Sequence, residues 1–293
     1  MLFSNFAVLS SVALSLVSAL PLEISKRGGS TCSFPTDAGL IAVTPDSSNA
    51  GWAMSHDQSC TPGSYCPYAC PPGQVMAQWD PSATSYTYPQ SQNGGLFCNK
   101  DGTVSKPFAN KPYCVDGKKT VQVKNNAEKK VAFCQTVLPG NEAMLIPTSV
   151  DSGSNQTIAV PSPNYWAGTS AHYYINAPGV SAKDGCIWGS KAKPVGNWAP
   201  YVAGANTDKD GNTYVKLGWN PIYVNDFDGV KPSFGVRVTC ANDGDCSGLD
   251  CEIDPSKTPF NQVSGSSNSP SGGAFCVVTV KNLASANIEV FDI

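Results

Sequence analysis

Asp226 and Asp228 stand two residues apart in Val224-Asn-Asp-Phe-Asp228. Two carboxyl groups held close together are what hydrolysis of a glycosidic bond usually requires: one protonated to release the leaving oxygen, the other ionised to attack the sugar or activate water. If this segment is extended, side chains two apart share a face and the carboxyls lie roughly 5 to 7 Å apart, near the spacing of a retaining pair. The competing reading is an ordinary Asp228-Gly229 turn with Asp226 as its solvated neighbour. Asp80, between Trp79 and Pro81, is a third catalytic candidate. An adjacent indole both desolvates a carboxyl, raising its pKa, and offers a flat face to a sugar ring. Capping a turn before proline is the alternative role for it.

Other reactive groups are sparse. Glu128 lies beside Lys129 in an expected turn, and Glu142 precedes an expected strand. Glu252 and Asp254 follow Cys251 in an acidic loop with Asp243, Asp245 and Asp250. Such a loop can hold calcium weakly, but a solvated turn tied by disulfides explains it more simply. His56 and His172 are the only histidines, and no Gly-x-Ser-x-Gly elbow accompanies them, so a hydrolase triad is not indicated. Trp79, Trp198, Tyr201 and Trp219 sit in segments rich in Pro, Gly and Asn, which makes them the expected substrate-binding platforms. Against this stands the usual fate of aromatics, which is to fill a core.

The elements that must position these groups are β-strands. Gly, Pro, Ser and Asn interrupt apolar periodicity every few residues, so no helix of ordinary length is expected. Alternation marks Thr120 to Lys124 and Val131 to Val137, which read as a hairpin across Asn125-Asn126. Further strands are expected at Ala143 to Ile146, Gln156 to Val160, Ala171 to Ile175, Thr213 to Leu217, Phe234 to Thr239, Ala274 to Val280 and Ile288 to Phe291. Strands at this spacing predict a mostly β, disulfide-rich β-sandwich over residues 114–293. Residues 28–113 alternate less and predict a cysteine-stapled N-terminal subdomain. The run from Ser264 to Gly273 reads as a flexible loop.

The chain opens with an apolar stretch from Phe6 to Leu16, too short to span a bilayer, followed by small residues. It reads as a signal peptide over 1–19 and a propeptide over 20–27 ending in the dibasic pair Lys26-Arg27. Twelve cysteines follow: Cys32, Cys60, Cys66, Cys70, Cys98, Cys114, Cys134, Cys186, Cys240, Cys246, Cys251 and Cys276. An even number in an exported chain predicts up to six disulfides of unspecified connectivity. Two histidines and no paired two-residue cysteine spacing argue against a metal site, and no cofactor is expected. Asn155-Gln-Thr157 is an N-glycosylation acceptor. Net charge is −3, which disfavours nucleic acid as a partner. Arg237 is the single arginine after residue 27, so bidentate recognition of anions is not a general device here and the main ligand should be neutral. No hydrophobic C-terminal tail signals a lipid anchor, and no membrane partner is expected.

Several blocks go further than composition. Cys60-Thr-Pro-Gly-Ser-Tyr-Cys66-Pro-Tyr-Ala-Cys70, Gly73-Gln-Val-Met-Ala-Gln-Trp79-Asp80-Pro81 and Asn93-Gly-Gly-Leu-Phe-Cys98 resemble the signature of the fungal SUN family of secreted cell-wall proteins. Cys186-Ile-Trp-Gly-Ser, the run from Pro194 to Asn206 and Lys216-Leu-Gly-Trp-Asn-Pro-Ile-Tyr223 look like further family blocks, so the resemblance runs from about Cys32 onward and makes 28–293 readable as one family domain. It implies a wall-associated glycosidase acting on β-1,3-glucan in septation, cell separation and wall remodelling. The alternative is a wall protein that binds β-glucan, or serves structurally, without cutting it. A second resemblance, of Thr120 to Asn126 and Thr157 to Trp166 to the opening strands of thaumatin-like proteins, implies a sandwich of that kind.

Overall fold

The protein, described by a computed structural model, is resolved over residues 31–87, 92–136, 139–140, 145–265 and 272–293. The leader, the Lys26-Arg27 pair, Glu142, the start of the strand expected at 143, and residues 266–271 of the Ser/Gly loop lie outside these. The early chain forms five short strands: β1 (Tyr65–Cys66), β2 (Gln74–Met76), β3 (Leu96–Cys98), β4 (Val104–Ser105) and β5 (Cys114–Asp116). They assemble as a three-stranded sheet of order β1-β3-β4 and a β2-β5 pair. Next come β6 (Val121–Asn125), β7 (Val131–Thr136), β8 (Ile146–Val150), β9 (Asn155–Thr157) and β10 (Ala171–Ile175). Two short helices, α1 (Ala182–Gly185) and α2 (Pro221–Asp226), flank β11 (Tyr201–Thr207) and β12 (Thr213–Trp219). The remaining strands are β13 (Phe234–Cys240), β14 (Cys246–Ser247), β15 (Cys251–Ile253), β16 (Phe275–Val280) and β17 (Ala286–Asp292).

These later strands make a sandwich. One sheet has the order β14-β16-β12-β11-β10-β7-β8 and the other β15-β13-β17-β6-β9. Alternate residues point inward and meet in one core: Val131 and Phe133, Tyr173 and Ile175, Val215, Leu217 and Trp219 from the larger sheet, facing Val121, Val123, Val236, Ile288 and Val290. The expected mostly β, disulfide-rich sandwich is what the chain adopts. All twelve cysteines are paired, as Cys32–Cys98, Cys60–Cys66, Cys70–Cys114, Cys134–Cys186, Cys240–Cys246 and Cys251–Cys276.

The expected hairpin at Asn125-Asn126 does not form. Strand β6 pairs with β9 and, in parallel, with β17, whereas β7 pairs with β8 and β10 in the opposite sheet. The turn is a crossing between sheets, and buried Asn125 holds it by donating to the carbonyls of Lys129 and Val150, both at 2.9 Å. The parallel β6–β17 register is marked on the outer face by a row of alternating charge, Glu252, Arg237, Glu289 and Lys124, running across four strands. Glu289 accepts from Arg237 Nε and Nη2 (3.0 and 2.9 Å), Thr239 Oγ1 (3.0 Å), Lys124 Nζ (3.2 Å) and Asn126 Nδ2 (3.2 Å).

Residues before β6 have their own apolar cluster, built from Phe34, Trp52, Tyr68, Met76, Leu96 and the early cysteines. Gln78, fully buried, ties this unit together: Nε2 donates to the carbonyls of Phe108, Lys111 and Pro112, and Oε1 accepts from Phe108 N. The Gly94-Gly95 pair of the cysteine motif has a steric cause. A Cβ at Gly94 would fall 2.0 Å from Pro139 O, and one at Gly95, whose φ is +106°, 1.8 Å from Cys66 O. A third cluster, with Val43, Ala53, Ala69 and Val75 on one side and Ile146, Ala159, Tyr165 and Trp166 on the other, joins the early unit to the sandwich.

Two outcomes follow from these contacts. Gly95→Ala should cost about 2 kcal/mol or more in denaturant unfolding, because backbone atoms block the added methyl. Burial works against ionisation of Glu289, but hydrogen bonds from Arg237, Lys124 and Thr239 outweigh it and hold the carboxyl below its usual range. The resulting stabilisation is complete above the ordinary glutamate range and lost as pH falls through the folded-state value. Glu289→Gln should therefore lower stability by about 2 kcal/mol at neutral pH, and its melting temperature should fall less steeply on acidification than that of the wild type.

Candidate functional site

The structure redistributes the residues that the sequence singled out. Val224 to Asp226 is not extended: it closes α2, which Asn220 caps by accepting from Ile222 N at 3.1 Å, with Pro221 in the first turn. On a helix, side chains two apart diverge, so Asp226 and the exposed Asp228 beyond it do not form the expected same-face pair. Asp226 instead accepts a 2.7 Å hydrogen bond from the Trp198 indole. Tyr201 and Trp219 face inward on β11 and β12, 0% and 1% exposed, which leaves neither ring a face for a sugar. Their polar tips are used internally, Tyr201 Oη donating to Phe234 O and Trp219 Nε1 to Gln262 O.

Trp79 is half-buried and packed edge-on against Phe108 and Tyr165, with Lys111 Nζ 4.7 Å from its ring centroid. Asp80 accepts from Ser82 N at 2.9 Å. That bond is the largest influence on its carboxyl and holds the pKa below the usual value, opposite to the rise expected from an adjacent indole. Asp80 acts as a turn cap. In the acidic loop, Asp254 pairs with Lys257 at 2.6 Å and Glu252 with Arg237 and Lys257 at 3.6 Å, which is an ion-paired turn. Asn155 is exposed on the edge strand β9, hydrogen-bonded to Gln122.

A cavity lined by acids, with an exposed ring in the recess beside it, lies elsewhere, at the junction of the early unit and the sandwich. A cavity of about 530 Å³ is walled on one side by the segment from Ala42 to Ser47 with His56, and on the other by α1, Cys186, Ile187 and Lys193. Each wall brings a carboxylate: Asp46 from the early unit and Asp184 from α1. Lys183 reaches across to Asp46 at 3.9 Å. An adjoining recess shares Val43, Thr44, His56, Cys186 and Ile187 with this cavity and ends at Trp188, which is 43% exposed. Trp188 meets Trp198 edge-on with ring centroids 6.4 Å apart, so the indole that binds Asp226 also backs the exposed one.

Local structure explains why these groups are held there. The Asp46 loop is built on Asn49, 0% exposed, whose Nδ2 donates to the carbonyls of Val43, Trp52 and Met54. Its flanks are strained, with Thr44 at φ +40° and Ala50 at φ +48°, a region that L side chains rarely occupy. On the facing wall, Ser181 caps α1: its Oγ accepts from Asp184 N at 3.1 Å and donates to Asp184 Oδ2 at 2.7 Å. The Cys134–Cys186 bridge fastens the end of this helix to β7. Asn197 accepts from Gly189 N, and Asn220 donates to the carbonyls of Asn197 and Ala199, so buried asparagines locate both tryptophans. With two acids, two lysines and one histidine, the lining carries no strong net charge, which suits an uncharged ligand.

Asp46, Asp184 and Trp188 are thus the residues that reading by strand pattern passed over. Trp188 stood in the Cys186-Ile-Trp-Gly-Ser block, and Ser181-x-x-Asp184 is a capping spacing legible in advance. Asp46 has no local signal, since only the long-range junction gives it a partner wall. Asn49→Ala should lower stability by about 2 to 3 kcal/mol, since the buried carbonyls of Val43 and Trp52 lose their donor. It should also raise amide exchange at Val43 and Ser48 while leaving strands β10 to β12 protected.

A family model described as "Beta-glucosidase (SUN family)" matches residues 27–278. The Saccharomyces cerevisiae "Uncharacterized protein YMR244W" is 60% identical over 278 residues, covering 92% of this chain and 78% of that protein. The Schizosaccharomyces pombe "Probable secreted beta-glucosidase adg3" is 54% identical over 273 residues, 92% of this chain but 24% of that protein. A second S. pombe protein, "Probable secreted beta-glucosidase C2G2.17c", is 33% identical over 303 residues, 86% of this chain and 90% of its own. No solved structure matches the chain significantly. With a match of this extent and relatives of this identity, the chain belongs to the SUN family.

Proposed function

We propose that this chain is a secreted glycosidase that acts on β-1,3-linked cell-wall glucan during septation, cell separation and wall remodelling, with the junction cleft as its substrate site. The observation that carries this reading is the proximity of a carboxylate from each wall of the cavity to an exposed tryptophan in the small recess that adjoins it. A sugar ring stacks on Trp188, which Trp198 and Asp226 back from behind. The glycosidic oxygen then lies toward Asp46 and Asp184, one carboxyl protonating it while the other, ionised, attacks the sugar or activates water. Family relatives named as probable secreted β-glucosidases support the reaction class, and six disulfides support an oxidising, extracellular location. Among the described residues no helix is long and apolar enough to cross a membrane. The leader over 1–19, removal of 20–27 and glycan attachment at Asn155 belong to this reading, as does a division into a cysteine-rich unit over 28–113 and a sandwich over 114–293.

A second reading, glucan binding without cleavage, is favoured by one observation: Asp184 is already engaged by Ser181 and Asp46 by Lys183. Incubating the secreted protein with laminarin oligosaccharides while following new reducing ends and retention on insoluble β-1,3-glucan separates the two. Catalysis in the cleft predicts a loss of at least about a hundredfold in kcat for Asp46→Asn or Asp184→Asn, and a rise in KM for Trp188→Ala. Retention without cleavage selects the binding reading. Unchanged rates in both carboxamide variants move the chemistry out of this cleft.

A further inference from the structure

The outer face of the larger sheet carries a trough of about 250 Å³. Strand register places His172, Gly204, Lys216 and Val277 in one row across β10, β11, β12 and β16, and Tyr174, Val202, Gly218 and Phe275 in the next. Pro221 and Ile222, where α2 begins, add to its lining. A Cβ built on Gly204 would lie 3.5 Å from His172 Cδ2 and 4.0 Å from Lys216 Cβ, so the imidazole and the lysine stem flank a bare stretch of strand.

The charge in this trough is unbalanced. Lys216 Nζ sits 4.0 Å from the Phe275 ring centroid, and among the described residues no acid pairs with it. Among the described residues no carboxylate lines the trough and Lys216 is the charged group facing His172 from the packed strands; on its own strand His172 meets the Tyr174 ring edge-on at 6.1 Å. Burial, then the charge of Lys216, depresses the imidazole pKa, and burial depresses that of Lys216. A desolvated, uncompensated cation beside an imidazole gains from an incoming anion, which restores favourable charge to both. The surrounding walls, aromatic and apolar, call for a ligand with a body as well as a charge.

We propose that this trough binds an anionic sugar, with its phosphate or carboxylate between His172 and Lys216 and its ring against Tyr174 and Phe275. The trough and the cleft share no lining residue, and the assignment does not depend on the activity proposed for the cleft. Among the described residues no pair of carboxylates lines the trough, as glycoside hydrolysis usually requires, so the role proposed for it is retention on a charged glycan.

The test uses the secreted full chain, titrated with glucose 6-phosphate, glucuronate, glucose and inorganic phosphate, read by calorimetry and by the His172 imidazole NMR signals. One of the two anionic sugars should bind at least about tenfold more tightly than both glucose and inorganic phosphate, and should shift the His172 signals; which one does so identifies the anion. Lys216→Met and Gly204→Val, the latter filling the bare stretch, should each weaken that binding at least about tenfold, whereas Asp46→Asn leaves it unchanged. Lys216→Gln replaces the methionine variant if that one fails to fold. Glucose binding as well as its phosphate, inorganic phosphate binding as tightly as either sugar, no binding at all, or unchanged affinity in the folded Lys216 variant would each overturn the assignment.

Discussion

The cleft exists because two sulfur-linked units meet through a contact that contains no covalent bond. Three bridges lie within residues 32–114 and three within 134–276, and none crosses between the two groups. What joins the units is apolar packing around Tyr165 and Trp166, together with a few directed bonds: Tyr165 Oη to Met76 O at 2.9 Å, the Trp166 indole to Ala83 O, and Lys118 N to Val160 O at 2.8 Å. Burial at this seam sets the separation of the Asp46 and Asp184 walls. Each wall is rigid in itself, one through Asn49 and the other through the Ser181 cap and the Cys134–Cys186 bridge.

This division of labour suits chemistry on an extended polymer. Stiff walls would keep the groups proposed for catalysis and binding in register, as preorganisation demands, while an open seam would let a chain lie across rather than enter a closed pocket. The asparagines behind the site have a related part. Asn176 bonds to Ala132 O, to Cys134 Sγ and to Gly196 N, and Asn197 and Asn220 continue the linkage to the tryptophans. A long excursion from β10 to β11 thereby behaves as part of the sheet, although it has little regular structure of its own.

Much of the sandwich was legible because each sheet is covered on one face, so burial writes period-two alternation into the sequence. Ala171 to Ile175 matches β10 end to end, β12, β13 and β16 differ from expectation by one or two residues at one end, and β17 by one or two at each end. Those ends mattered. Val215, Leu217 and Trp219 continue one inward-facing series, and stopping the strand at Leu217 left Trp219 looking like a surface ring. The β6 to β7 crossing was hidden because turn residues between alternating strands look the same whether the strands pair or part, and sheet membership is decided by distant β17. Asp226 was misplaced for a local reason, since Asn220-Pro221 is a helix start that outweighs the short alternation after it. The cleft itself has no local signature: its walls are about 140 residues apart in sequence, and that distance is bridged only by tertiary packing.

Strand β17 occupies the middle of its sheet, between β13 and the parallel partner β6, which lies some 165 positions earlier. A nascent chain translated only as far as residue 285 therefore holds β6 and β9 on one side and β13 and β15 on the other, with no strand between them in that sheet. Export and oxidation of the early cysteines can run ahead, but one sheet of the sandwich waits with unpaired strand edges until β17 arrives.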